Sequence, residues 1–316
     1  MSKFGAKSTT DDVLDGHDLN GKTVFVTGGN SGLGQETGRA MAAKGAHVIL
    51  LGRNQEKLDE AIGEIRKDNG EGEIETLLCD LGSLDSIRQC GAEARSRYSK
   101  IDILINNAGV MACPMGRTSD GFETQFGTNH IGHFALTKEL MPLIEKGADK
   151  RIVNLSSRAH HIAPANLDDP NFEEAAYDPW LSYGQAKTAN VLFSVGLEER
   201  FGAKGIHSYA VHPGGIQTNL GRHMTEEQSA ALIERVTTSD PDFEWKTIPQ
   251  GAATQCWAAT AREVEGSGGV YCEDCGVAEI DDVSAKKGVR TYALAKASAD
   301  RLWSISEQMI GDTFRA

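Results

Sequence analysis

Short apolar, β-branched runs alternate along this chain with longer stretches of mixed composition. Residues 22–27, 47–51, 74–79, 101–105, 151–155, 206–211 and 269–272 read as buried strands, because few of their side chains are polar and turn-forming residues follow them. Between them, residues 35–44, 55–67, 84–98, 120–145, 182–193, 249–260 and 285–309 carry the Ala, Leu, Glu, Lys and Arg content of helices. This rhythm predicts an α/β fold, a doubly wound parallel sheet of about seven strands flanked by helices. Residues 1–20 are polar and read as a tail or short cap, and residues 21–316 as one domain. Within it, residues 215–248 show weak periodicity after the sixth strand, and residues 276–316 read as a helical extension that packs on the body or on a partner subunit.

The first strand runs into Gly28-Gly29-Asn30-Ser31-Gly32-Leu33-Gly34, and a helix follows. Strand, glycine turn and helix in that order point backbone N–H groups at a pyrophosphate. The glycines permit a tight turn, close approach of the phosphates and close helix packing. A tight turn without a ligand is the alternative. An NAD site places an acid about 20 residues past such glycines, for the ribose 2′-hydroxyl. Here the second strand ends at Gly52-Arg53, with no acid and one cation. That favours the additional phosphate of NADP. The alternative reading of Arg53 is a surface cation capping the next helix.

Tyr183 and Lys187 lie four residues apart and share a face if the segment is helical, with Ser182 placed to cap it. An ammonium beside a phenol lowers the phenol from its usual pKa of ~10. Such a phenol suits general acid/base work on an alcohol or carbonyl. Asn106-Asn107-Ala108-Gly109 follows the fourth strand, at the end of a parallel sheet where ligands sit. Asn129 falls mid-helix, where Asn is disfavoured, so it has either a task or a local bond. The fifth strand delivers Ser156 and Ser157, and the sixth delivers His212-Pro213-Gly214.

Taken in order, these motifs resemble the short-chain dehydrogenase/reductase family over about residues 20–275. Thr27 to Gly34 is similar to its T-G-x-x-x-G-x-G, and Asn106 to Gly109 to its N-N-A-G. The resemblance implies a Rossmann-type fold and a catalytic set of Asn129, Ser157, Tyr183 and Lys187. It implies cofactor contacts from Gly28, Asn30, Ser31, Gly32, Leu33 and Gly34 at the turn. Arg53, Asp80 and Leu81 would serve the adenosine, and Asn107, Ala108 and Gly109 would line the cleft. Pro213, Gly214 and Thr218 would contact the nicotinamide carboxamide, and Tyr183 and Lys187 the ribose side. Tyr183 would move the proton. Lys187 would lower its pKa, Ser157 would hydrogen-bond the substrate oxygen, and Asn129 would hold a water leading to Lys187. No metal enters this scheme.

Gly52-Arg53-Asn54, Ser156-Ser157-Arg158-Ala159-His160 and Gln250-Gly251-Ala252-Ala253 are most similar to the retinol dehydrogenase-like branch. So is the long stretch from Ser157 to Tyr183, an insertion over residues 158–181. The function implied is hydride transfer between NADP(H) and a secondary alcohol or carbonyl of an apolar, retinoid-, steroid- or ketone-like substrate. An NAD-preferring alcohol dehydrogenase and a non-catalytic NADP-sensing binding protein are the alternatives. By the same resemblance residues 215–248 form a substrate lid, with a plain helical hairpin as the other reading.

The chain has 316 residues, 40% of them hydrophobic, enough for one large core. Its net charge of −13 argues against nucleic acid and anionic membranes. No apolar run has transmembrane length, so no membrane anchor is expected. Six cysteines without a disulfide framework suit a reducing cytoplasm. Cys272 and Cys275 form a single C-x-x-C, which argues against zinc, and His130 and His133 are read as packing residues. A homodimer or homotetramer is left open.

Overall fold

The computed structural model describes residues 3–68, 72–222, 224–241 and 243–315. Positions 1 and 2 of the expected tail and 223 and 242 of the expected lid lie outside the described residues.

One sheet runs in the order β3-β2-β1-β4-β5-β6-β7-β8. β1 (Thr23–Thr27), β2 (His47–Gly52), β3 (Ile74–Leu78), β4 (Ile103–Asn106), β5 (Arg151–Leu155), β6 (His207–His212) and β7 (Val270–Glu273) are parallel. β8 (Gly276–Val277) pairs antiparallel with β7, after Asp274 and Cys275 turn the chain at positive φ. Two residues are too short to show a period, so the sequence reading stops one strand short. The strand order reverses between β1 and β4, and ligands bind at such a reversal in open sheets.

The helices are α1 (Thr10–Val13), α2 (Gly32–Ala42), α3 (Gln55–Ile65), α4 (Leu84–Arg97), α5 (Thr124–Phe126), α6 (Gly132–Ile144), α7 (Pro179–Phe201), α8 (Glu226–Ser239), α9 (Ile248–Thr260) and α10 (Lys296–Ile310). Strand residues alternate between the two faces, as the pleat requires. Phe25, Ile49, Leu104 and Ile152 join the core under α4, α6, α7 and α10. Val24, Val48, Leu50, Ile103 and Val153 join the core under α2, α3 and α9. The segment expected as a polar tail contains α1, capped by Thr9 and Asp12, and buries Val13, Leu14 and Leu19 in that second core.

Three helix boundaries differ from the sequence reading. α2 begins at Gly32, three residues early, so the last glycines of the turn are already helical. α7 is capped by Asp178, which accepts from Leu181 N at 2.7 Å, and Pro179 fills its first turn. Ser182 is therefore not the cap; it lies buried inside the helix. The expected helix over 120–145 starts only after Glu123 and divides into α5, a π-helical turn at Gly127–Ile131, and α6.

The C-terminal extension is helical only at Thr291–Leu294 and in α10, and it packs on the body. Trp303 lies against α7 at Gly196, whose added Cβ would stand 3.0 Å from its ring. Phe134, Phe193, Phe201 and Phe314 surround that indole, with the Phe314 ring centroid at 4.8 Å. Among the described residues no helix is long and apolar enough to cross a membrane.

Candidate active site

The carboxyl ends of the parallel strands bring nearly all the sequence-predicted residues to one edge of the sheet. Gly28 leaves β1 at φ +66°, and Gly32 opens α2 at φ +56°, conformations that favour glycine. A Cβ on Gly34 would stand 2.6 Å from Asn107 Nδ2 and collide with the Gly28 carbonyl. Ser31 is the N-cap of α2 but makes no side-chain cap bond, and no acid lies in the first turn. The leading N–H groups of α2 are thus left without a side-chain acceptor, at the positive end of the helix dipole. This is an anion cradle, and it fits the pyrophosphate of a dinucleotide.

The groups expected around the adenosine lie beside it. Gly52 faces Asn30, whose Oδ1 would be 3.6 Å from an added Cβ. Arg53 is exposed and has no acidic partner among the described residues. The next helix is capped by Asn54, which accepts from Lys57 N at 2.9 Å, so Arg53 is not its cap. Asp80 is half-buried; its Oδ1 accepts from Gly82 N at 2.9 Å, and Leu81 beside it is buried.

A buried polar network ties the turn to the helix behind it. The Thr27 hydroxyl accepts from Asn107 N at 2.9 Å and Ala108 N at 3.0 Å, and lies 2.9 Å from His133 Nε2. His133 Nδ1 is 2.9 Å from the Asn129 carbonyl, which fixes the tautomer: Nδ1–H donates there, and Nε2 accepts from Thr27. The Asn129 side chain accepts from Val110 N at 2.8 Å and donates to Val110 O at 2.9 Å. It thereby closes the chain just after Gly109, from within the π-helical turn. The sequence reading missed Thr27 and His133 as supporting residues. The signal was present, since His133 stands four residues after Asn129, on the same helix face.

Tyr183, Lys187 and Ser157 converge where β5 meets α7. The Tyr183 phenol is buried with Ser157 close enough to favour its ionised form, and Lys187 Nζ lies 5.6 Å from the phenol ring centroid. Lys187 Nζ donates to Leu155 O at 2.9 Å and lies 3.7 Å from where a Gly109 Cβ would stand, with Asn129 Oδ1 at 3.1 Å from the same point. Ser156 donates to Lys187 O at 2.8 Å, which commits it to the backbone of α7 and leaves Ser157 as the serine beside the phenol. Pro213 and Gly214 follow β6, with Gly214 at φ +96° under the Lys246 side chain. Thr218 reaches the glycine turn, with its Cγ2 3.6 Å from where a Gly32 Cβ would lie.

The expected lowering of the phenol is not what this arrangement produces. Burial pushes Tyr183 up to about 12, with the neighbouring Ser157 opposing it. Burial also pulls Lys187 down to about 8. The ammonium is turned to the Leu155 carbonyl rather than to the phenol oxygen, so desolvation outweighs attraction.

The insertion forms a fixed wall beside this centre. Tyr177 donates to Cys113 O at 2.9 Å, Gln125 donates to Tyr177 and to Pro179 O, and Asn171 accepts from Glu123 N. His160 Nδ1 lies 2.8 Å from Ser157 O, and its Nε2 accepts from Arg290 N at 3.2 Å. The serine loop is thus joined to the C-terminal extension.

A family model of short chain dehydrogenases matches residues 22–229. The chain is 38% identical over 315 residues to the short-chain dehydrogenase/reductase prx1 of Penicillium roqueforti, covering 96% of this chain and 91% of that one. It is 36% identical to retinol dehydrogenase 14 of Homo sapiens, covering 93% and 87%. A crystal structure of an uncharacterized protein from Mycobacterium paratuberculosis superposes with a TM-score of 0.73 at 33% identity, covering 98% of this chain and 100% of that one. The chain belongs to the short-chain dehydrogenase/reductase family and is an oxidoreductase. Proteins named retinol dehydrogenase are among its relatives.

Proposed function

We propose that this protein transfers a hydride between NADP(H) and a secondary alcohol or carbonyl of an apolar small molecule, with Tyr183 as general acid/base. The observation that carries the reading is the convergence of Ser157, Tyr183 and Lys187 beside an uncapped helix N-terminus. A bound nicotinamide supplies the hydride chemistry. Asn107, Ala108 and Gly109 would line its cleft, and the α2 N–H groups would hold its phosphates.

Tyr183 gives its proton to the substrate oxygen in reduction and takes it in oxidation. A phenol near 12 is protonated at neutral pH, so the resting group is an acid, which suits carbonyl reduction. Ser157 hydrogen-bonds the same oxygen as charge develops there. Lys187, charged at neutral pH, stabilises the phenolate left behind. Asn129 acts by holding Val110 and the cleft wall. Residues 215–248 serve as the lid, with Phe243 and Trp245 packed against Gly215 at its base. Six buried free cysteines suit a reducing compartment, and we place the protein in the cytoplasm.

The test is NADPH oxidation against a panel of apolar ketones and aldehydes, with wild type and Tyr183→Phe. The expected result is turnover in the wild type, loss of ~10²–10⁴-fold in the variant, and NADPH affinity unchanged within a few fold. A variant that keeps more than about a tenth of the activity contradicts the role of the phenol as the proton donor.

A further inference from the structure

Two arginines follow segments that pack on the glycine turn. Arg53 ends β2 beside Gly52, which packs on Asn30 of the turn. Arg222 follows the short helical turn Asn219–Gly221 at the start of the lid, whose capping residue Thr218 touches Gly32 of the same turn. Arg222 Nη1 donates to Asn219 O at 3.0 Å, which engages one corner of the guanidinium and leaves its other donors without an acceptor among the described residues. Arg53 makes no hydrogen bond or ion pair among them. The two cations sense each other: burial first, and the Arg53 charge next, hold Arg222 below the usual guanidinium range.

Like charges close enough to repel, with no acid paired to either, are unfavourable. The chain has 45 acidic residues against 32 basic ones, yet among the described residues none forms an ion pair with either arginine. A dianion between them turns repulsion into two attractions, and planar guanidinium forks match phosphate oxygens. The pyrophosphate is already served by the α2 N-terminus. Arg53 stands where the adenosine ribose hydroxyls fall in this topology.

We propose that Arg222 is a specificity-determining residue: carried on the lid, it closes over the 2′-phosphate of NADP(H) opposite Arg53, so that this phosphate draws the lid onto the cleft. The proposal rests on the NADP(H) reading above. It differs from a one-arginine site, because half of the recognition comes from a segment that also borders the substrate.

The experiment is fluorescence titration of wild type, Arg222→Ala, Arg222→Lys and Arg53→Ala with NADPH, NADH and 2′,5′-ADP. Thermal melts of the unliganded proteins check folding; Arg222 is exposed, so they should agree. Arg222→Ala is expected to weaken NADPH and 2′,5′-ADP roughly tenfold or more while NADH changes less than about twofold. Arg222→Lys should recover part of that loss, since it keeps the charge but not the fork. An unchanged NADPH-to-NADH ratio in Arg222→Ala, alongside a shifted ratio in Arg53→Ala, overturns this proposal and leaves the NADP(H) reading standing. Equal weakening of both cofactors also overturns it, because the arginine would then serve the shared pyrophosphate. A wild type without preference for NADPH defeats the underlying reading itself.

Discussion

Lys187 is the residue whose surroundings make the sharpest demand. Its ammonium is buried, bonded to the Leu155 carbonyl, and pulled down to about 8. It is therefore charged below that pH and neutral above it. If its charge supports the phenolate, carbonyl reduction should decline as pH rises through about 8, well before Tyr183 itself titrates. Lys187→Arg keeps a charge across that range, since arginine titrates above ~12. Its activity should be lower, because a planar fork replaces a compact ammonium, but its alkaline limb should vanish. A pH–rate series on both proteins checks this; an identical limb near 8 in the arginine variant would assign it elsewhere. The four-residue spacing of Tyr183 and Lys187 was legible in the sequence. The direction of the phenol's shift was not, because burial cannot be read from spacing, and here burial wins.

At the scale of elements, strands were easier to read than helix ends. Runs such as Val24 to Val26 are buried on both faces and stay apolar throughout, so their limits are clear. Helix starts depend on one capping residue, and Asp178 with Pro179 outcompeted Ser182 because the proline fixes the first turn. The π-helical turn around Asn129 has no side-chain cap to mark it; within the fold Val110 holds Asn129 and Thr27 holds His133 beside it. The sequence reading has α10 packing on the body or on a partner subunit, and it seats Trp303 among four phenylalanines against α7. Trp303→Ala should cost ~3–5 kcal/mol of stability, the range for a buried aromatic truncated to alanine. Urea unfolding measures it; a loss under about 1 kcal/mol would mean that the site collapses around the gap.

For the whole molecule, the buried histidines set the response to acid. Burial, first among the causes, holds His130 at about 3, His133 at about 4 and His160 at about 3. The unfolded chain takes up protons on these rings near pH ~6.5. Between that value and about 4 it therefore binds more protons than the folded chain, and stability falls as pH falls. Each ring contributes ~1.4 kcal/mol per pH unit, so three together give roughly 4 kcal/mol per unit. Urea midpoints at pH 7, 6 and 5 should drop increasingly steeply, and a flat series would show that these rings are not neutral in the native state. The parallel sheet, the glycine turn and the Ser157, Tyr183 and Lys187 set were all visible in the order of motifs, because each is built from short contiguous strings of the chain. The histidine network was not, since it joins β1, the π-helical turn, α6 and the C-terminal segment across the core.

The seat of Trp303 also bears on synthesis. The ribosome makes α7 long before α10, so α6 and α7 emerge with Phe134, Phe193 and Phe201 still uncovered by Trp303. An interrupted nascent chain would display an aromatic patch of the kind chaperones and proteases recognise. Completion of translation thereby becomes a condition for escaping quality control.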